Sequence, residues 1–159
     1  MSKEHLDLYL NDHLAGSVGA LELLSDLIKE TDPARSRFFS TLHGEIDADQ
    51  KELKSIMSSL NIVESSTRKA AAWLVETFAW LKLRPGGAPA SNIQLLQSIE
   101  GLLLGVTGKR ALWQALLSCP SVVAQLPGVD LHRLEERARD QSERLQDERI
   151  KVAAEALKL

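Results

Sequence analysis

The stretch "GLLLGVTGKRALW", Gly101 to Trp113, decides the fold. Three glycines interrupt a segment whose apolar spacing is helical, and a Gly-Lys-Arg follows them. A phosphate-binding loop needs Gly-x-x-x-x-Gly-Lys-Ser/Thr directly after a strand. Here Gly108-Lys109 would require a glycine where Leu103 stands and a hydroxyl where Arg110 stands, and no alternating strand pattern precedes them. The segment is therefore helical. Ile99, Leu102, Leu103, Val106, Trp113 and Leu117 form its apolar stripe, recurring three and four apart. Gly101, Gly105 and Gly108 then share another face. A glycine inside a helix costs up to about 1 kcal/mol against alanine, so three on one face predict a close approach of something to the backbone. A similar feature occurs early in the chain, where Ala15, Gly16 and Gly19 lie off the main stripe.

The same periodicity runs through the rest of the chain, and nothing reads as a strand. Five helical segments are predicted, at about 4–31, 34–60, 66–83, 92–118 and 130–157. Their ends carry recognisable punctuation. Thr31-Asp32-Pro33 fits an N-cap with proline in the first turn. Asn61 suits a helix end, and Ser65-Ser66 can cap the segment that follows. "RPGGAPAS", Arg84 to Ser91, has loop composition and runs into the capping box Ser91-Asn92-Ile93-Gln94. "LPGVD", Leu126 to Asp130, ends one element and caps the next. The first helix carries the stripe Leu6, Leu10, Leu14, Leu21, Leu24, Ile28, and the second Leu42, Ile46, Leu53, Ile56, Leu60. The last has a weaker stripe of Leu134, Ala138, Leu145, Val152 and Ala156. One narrow stripe on each of four long helices predicts an all-α four-helix bundle. The short first turn makes helices one and two antiparallel. The 66–83 segment can carry the chain back along the bundle, so that the second and third long helices run parallel.

Composition sets the outer limits. The chain has 159 residues, 44% hydrophobic and 26% charged, enough for a single domain over 1–159 with its own core. A net charge of −3 gives no footprint for nucleic acid or an anionic membrane. No apolar run is long enough to span a bilayer. The opening "MSKEHLDLYL" lacks an apolar signal core, so a cytoplasmic location is expected. The single cysteine, Cys119, precedes Pro120 without a partner base in sequence and offers neither a disulfide nor a thiolate zinc site.

In layout, the chain resembles the ferritin-like superfamily. The resemblance rests on "YLNDHLAGSVGALELLSDL" as first helix, "FFSTLHGEIDADQKELKSIM" as second, a helical crossover and two further long helices. It implies a bundle that in many members holds two iron or manganese ions. Such a site takes inward glutamates from two helices and Glu-x-x-His from the other two. This chain has no Glu-x-x-His. "HRLEER" reverses the order, and "HGEIDAD" sets His43 on a different face from its carboxylates. The resemblance therefore implies a degenerate metal site, with no cofactor expected. Were iron or manganese bound, its ligands would come from His13, Glu45, Asp49, Glu100 and Glu148.

The stripes contain polar interruptions. His13 with Ser17, Asp49 with Glu45, Arg110 and Gln141 interrupt the four long helices in turn. In the topology above, His13, Asp49, Arg110 and Gln141 fall at about one level, within a helical turn. Arg110 is a permanent cation and cannot ligate a metal. The expectation is that Arg110 replaces the metal's charge and pairs with Asp49, with hydrogen bonds from His13 and Gln141. The simpler alternative is an Arg110 that snorkels to the edge and a His13 that is an ordinary core histidine.

Three functional readings follow. The leading one is a non-catalytic bundle acting by protein–protein contact, as a homodimer, with Gly16, Gly19, Gly101, Gly105 and Gly108 as the close-packing face. For what covers those glycines the crossover "RKAAAWLVETFAWL", which offers both small and bulky residues, is the favoured candidate and a second subunit the other, and the two are compatible. The second reading is a di-iron or manganese oxidase or storage protein. The third is a small-molecule binder with a cavity near His13 and Trp113. Trp73, Phe78 and Trp80 could line a pocket but more simply bury the crossover. "RLEERARDQSERLQDERIK", Arg133 to Lys151, reads as a solvated face laced with pairs three and four apart.

Overall fold

The computed structural model describes residues 3–65 and 91–159. The expected crossover helix, with Trp73, Phe78 and Trp80, lies outside the described residues. Five helices are described: α1 (Lys3–Glu30), α2 (Pro33–Ser59), α3 (Asn92–Leu117), the short α4 (Pro120–Val123) and α5 (Leu131–Ala156). The described residues contain no strand, so the all-α class is observed. At 1.5 Å per residue the four long helices are each about 40 Å long.

Local chemistry explains the helix ends. Asp32 caps α2 by accepting from the backbone N–H groups of Ala34 at 3.0 Å and Arg35 at 3.1 Å, with Pro33 in the first turn. At its other end Asn61 takes the left-handed conformation, φ 54°, and Ile62 N–H returns to the Met57 carbonyl at 2.9 Å. Ile62 and Met57 are both buried beside this turn, which completes a Schellman stop. Ser91 and Gln94 form the capping box of α3, and Asp130 caps α5 through Arg133 N–H at 2.9 Å. The turn before it needs Gly128 at φ 89°. α4, a single turn after Cys119, was not expected from the sequence.

Side-chain bonds between helices fix their directions. Ser17 meets Gln50 and Ser25 meets His43, so α1 and α2 are antiparallel. Glu100 meets Arg149 and Arg110 meets Glu135, so α3 and α5 are antiparallel. Arg35 meets Glu148 and Glu52 meets Arg133, so α2 and α5 are antiparallel. It follows that α2 and α3 point the same way, as the sequence predicted. The predicted stripes face inward: Leu10, Leu14, Leu24, Leu42, Ile56, Ile99, Leu134, Leu145 and Val152 are all essentially inaccessible.

The interior is not one continuous apolar mass. One cluster gathers Leu10, Leu14, Leu53, Ile56, Trp113 and Leu134 at the end where α1 and α5 begin. The other gathers Leu24, Phe39, Ile46, Ile99, Leu145 and Val152 at the opposite end. Between them, α2 places Asp49 between Ile46 and Leu53, and α5 places Gln141 between Ala138 and Leu145. The two apolar halves are thus separated by a polar layer at mid-height.

Candidate functional site

The layer is built on Asp49, 2% exposed, and Gln141, fully buried. A carboxylate so far from water needs opposite charge and hydrogen bonds. It receives both. Lys109 Nζ donates to Asp49 Oδ2 at 2.5 Å and to Gln141 Oε1 at 2.5 Å. Arg137 Nη2 sits against Asp49 Oδ1 as an ion pair without the alignment of a hydrogen bond. Gln141 Nε2 donates to Asp49 Oδ2 and to Glu45 Oε2, each at 3.2 Å. Arg144 closes the edge, donating to Glu45 Oε2 at 2.5 Å and to Asp140 Oδ2 at 2.8 Å. Burial pulls the Lys109 amine below the ordinary lysine range, and the Asp49 charge opposes that pull.

The sequence placed the wrong cation in this layer. Arg110 does not meet Asp49; its Nε donates to Glu135 Oε1 at 2.5 Å, at the α3–α5 edge. One step along a helix turns the side chain by about 100°. Lys109 therefore points inward, and its longer neighbour Arg110 lies over the surface of α5. His13 is likewise not in the layer. The Ser17–Gln50 bond at 2.8 Å puts Ser17 at the height of Asp49, and His13 sits one turn nearer the start of α1. There His13 packs edge-on to Tyr9, ring centroids 4.7 Å apart. Burial lowers its pKa, with Asp12 opposing. Asp49, Glu45 and Gln141 are brought together as expected.

The remaining candidate ligands are dispersed, each on a cation of its own. Glu100 accepts from Arg149 at 3.0 Å, and Glu148 from Arg35 at 2.9 Å with Lys151 nearby. No group of three or more His, Cys, Asp and Glu side chains among the described residues is placed to hold a metal ion. The donor set does not fit one. Both oxygens of Asp49 face cations, and Lys109, Arg137 and Arg144 surround the two carboxylates of the layer. A divalent ion entering there would meet three positive charges.

The sequence reading missed the role of the arginines. The run from Arg133 to Lys151 is not simply a solvated face. Arg144–Asp140 and Lys151–Glu148 are pairs along the helix. Arg133, Glu135, Arg137, Arg144, Glu148 and Arg149 also reach other helices. A signal was present: Arg137, Gln141, Arg144 and Glu148 recur three and four apart beside the apolar stripe of α5, so they flank its core face.

The glycines divide. Gly101 is buried and Gly19 half-buried. A Cβ at Gly16, Gly105 or Gly108 would meet nothing within 4 Å. These three have no close neighbour among the described residues, and the crossover expected to cover them lies outside those residues. Around them α3 is unusual. Its charged residues are Glu100, Lys109 and Arg110, and all three are paired inside the molecule. The face opposite its core carries Ile93, Leu104, Gly108, Ala111 and Ala115, with Leu104 72% exposed.

Two further polar groups stand out. Trp113 is 1% exposed and its indole N–H has no partner among the described residues. Cys119 is half-buried, with Sγ 3.3 Å from Ser121 Oγ, a contact that lowers its pKa. An open groove of about 290 Å³ is lined by Glu4, Asp7, Leu8, Asn11 and Ser65, not by His13 or Trp113. Asn11 there holds Val63 O at 3.2 Å and Ser65 N–H at 2.8 Å, fixing the chain as it leaves α2. Among the described residues no helix is long and apolar enough to cross a membrane. No family model matches the chain, and neither a curated protein nor a solved structure is similar to it.

Proposed function

We infer that the protein is a non-catalytic, ferritin-like helical bundle that acts by protein–protein contact, with itself as first partner. The observation that carries this reading is the central layer. Its carboxylates are neutralised by Lys109, Arg137 and Arg144 of the same chain, so it stabilises the bundle's register instead of presenting reactive groups. Chemistry is then not the business of the core, and the surface has to carry the function. The outer face of α3 is the part of that surface best suited to a second copy. It holds no unpaired charge, so two copies of a chain of net charge −3 can meet there without opposing like charges. Leu104 projects beside the open positions at Gly105 and Gly108, where a partner helix can approach closely.

The test is sedimentation equilibrium over a wide range of protein concentration, with elemental analysis of protein purified without chelator. A concentration-dependent dimer that Leu104→Glu dissociates, without loss of helix content, supports the reading. A strict monomer overturns self-association. Two equivalents of iron or manganese per chain would overturn the account of the central layer and restore the oxidase or storage reading.

A further inference from the structure

The four sides of the bundle are not held in the same way. Backbones approach closely between α1 and α2, between α3 and α5, and between α1 and α3. The α2–α5 side is not among these close approaches, although more of the polar side-chain bonds between described helices cross it than any other side. Long side chains span it from end to end. Arg35 reaches Glu148 at 2.9 Å and Glu155 at 2.6 Å; Arg144 reaches Glu45; Arg137 and Gln141 reach Asp49; Arg133 reaches Glu52 at 3.0 Å. Every one of these bonds has a charged group on at least one end. The apolar interior is weakest at the same place, because Asp49 and Gln141 interrupt the stripes of α2 and α5 at one height.

We propose that the α2–α5 side is the opening edge of the bundle, held by charge and released by ionic strength, while the α1–α3 side acts as the hinge. Several of its partners are wet enough to be screened: Arg144 is 31% exposed, Glu45 29%, Arg133 51% and Glu52 36%. Salt shortens the reach of such pairs from about 10 Å at 0.1 M to about 3 Å at 1 M. The α3–α5 side carries ion pairs too, Arg110–Glu135 and Arg149–Glu100, but it is also joined by close helix packing that salt does not screen, as is the α1–α2 side. Rising salt therefore weakens one edge selectively. The proposal does not depend on self-association, since α2 and α5 form this edge and the outer face of α3 does not.

Thiol labelling by an aromatic disulfide tests it in a Cys119→Ser background, which removes the native thiol. Ala138→Cys places a probe at a fully buried position of α5. Ser98→Cys places a near-isosteric control at a fully buried position of α3, on the side turned away from α5. Between about 0.05 M and about 0.5 M KCl, labelling of the Ala138→Cys thiol should rise about tenfold while the Ser98→Cys thiol changes less than about twofold. Arg144→Gln should raise the first rate severalfold at low salt and leave the second alone. Should Ala138→Cys fail to fold, Ala48→Cys serves in its place, on the turn of α2 between Glu45, Asp49 and Glu52. Rates that ignore salt overturn the proposal. So do rates that rise equally at both sites, since they report unfolding of the whole bundle.

Discussion

α3 and α5 are 26 residues each and pack against one another, yet they are opposite in texture. α3 carries three charged residues and α5 thirteen. On α3 every charge has a partner on another helix, and the rest of the surface is uncharged: glycine, alanine and aliphatic residues with Asn92, Gln97, Thr107 and Gln114 among them. On α5 seven of the charges form the seam to α2 and the edge to α3: Arg133, Arg137, Arg144, Glu148 and Glu155 on the one, Glu135 and Arg149 on the other. The difference shows what a charge does in each place. On α3 a single charged residue, Lys109, determines the centre of the molecule. On α5 the loss of one pair among many should matter much less.

That contrast can be broken most forcefully at Asp49. Asp49→Leu leaves Lys109 and Arg137 without their shared carboxylate and should destabilise the fold by about 3–5 kcal/mol in urea unfolding. The triple change Asp49→Leu, Lys109→Met, Arg137→Leu should recover most of that loss, because well-packed apolar groups replace a buried ionic cluster at little net cost. A single Asp49→Leu change costing less than about 1 kcal/mol would show that the layer is hydrated and not a buried network.

The adjacent pair Lys109 and Arg110 sharpens the comparison. Lys109→Met removes two charge-assisted bonds but leaves Asp49 its Arg137 partner, and should cost about 2–3 kcal/mol. Arg110→Met removes a pair whose arginine is 37% exposed and should cost under about 1 kcal/mol. Equal effects in the same unfolding experiment would contradict the inward course of Lys109.

These two residues also mark the limit of what the sequence discloses. The four long helices among the described residues, their ends and their directions were legible because caps, proline, glycine and apolar spacing act locally, whereas the short α4 was not. The height of the layer was legible from the interruptions at Asp49 and Gln141. Which basic residue fills it was not. Lys109 and Arg110 differ by about 100° of rotation, and a stripe six residues wide does not fix the phase of α3 that finely. The pattern favoured Arg110, in line with Ile99, Val106 and Trp113; the structure turns that helix enough to bring Lys109 to Asp49. The seam arginines escaped for another reason. Mixed charges at helical spacing suit both a solvated face and an interhelical seam, and what separates the two is the neighbour, which periodicity does not contain. Residue counts along the helix axes bring His13 level with Asp49, whereas the Ser17–Gln50 bond brings Ser17 there and leaves His13 one turn away.

The glycines of α3 give an effect of opposite sign. Gly105 is exposed and a Cβ there meets nothing within 4 Å. Gly105→Ala should therefore stabilise the isolated chain by about 0.5–1 kcal/mol, through helix propensity and a less disordered unfolded state. If a second copy packs against this face, the same change should weaken the dimer in sedimentation while the monomer gains. A destabilised monomer would mean that the position is crowded within the chain.

The smallest expected effect belongs to α1. His13 is half-buried against Tyr9, and burial holds its pKa below the ordinary histidine value of 6.5. The unfolded chain then takes up a proton first as the pH falls. Stability is complete above 6.5 and declines as the pH drops from there toward the lower folded value. His13→Gln should flatten that decline. Below it a second loss follows from Glu135 and Glu155, whose carboxyls are held below the usual range by hydrogen bonds from Arg110 and Arg35. Their contribution is present above the unfolded value of 4.5 and is lost as the pH falls through the lowered one. Thermal unfolding from pH 8 to pH 3 should thus show two steps in the native chain and only the acidic one in His13→Gln. If the upper step survives that substitution, the proton enters elsewhere, and His13 is as accessible in the bundle as in the unfolded chain.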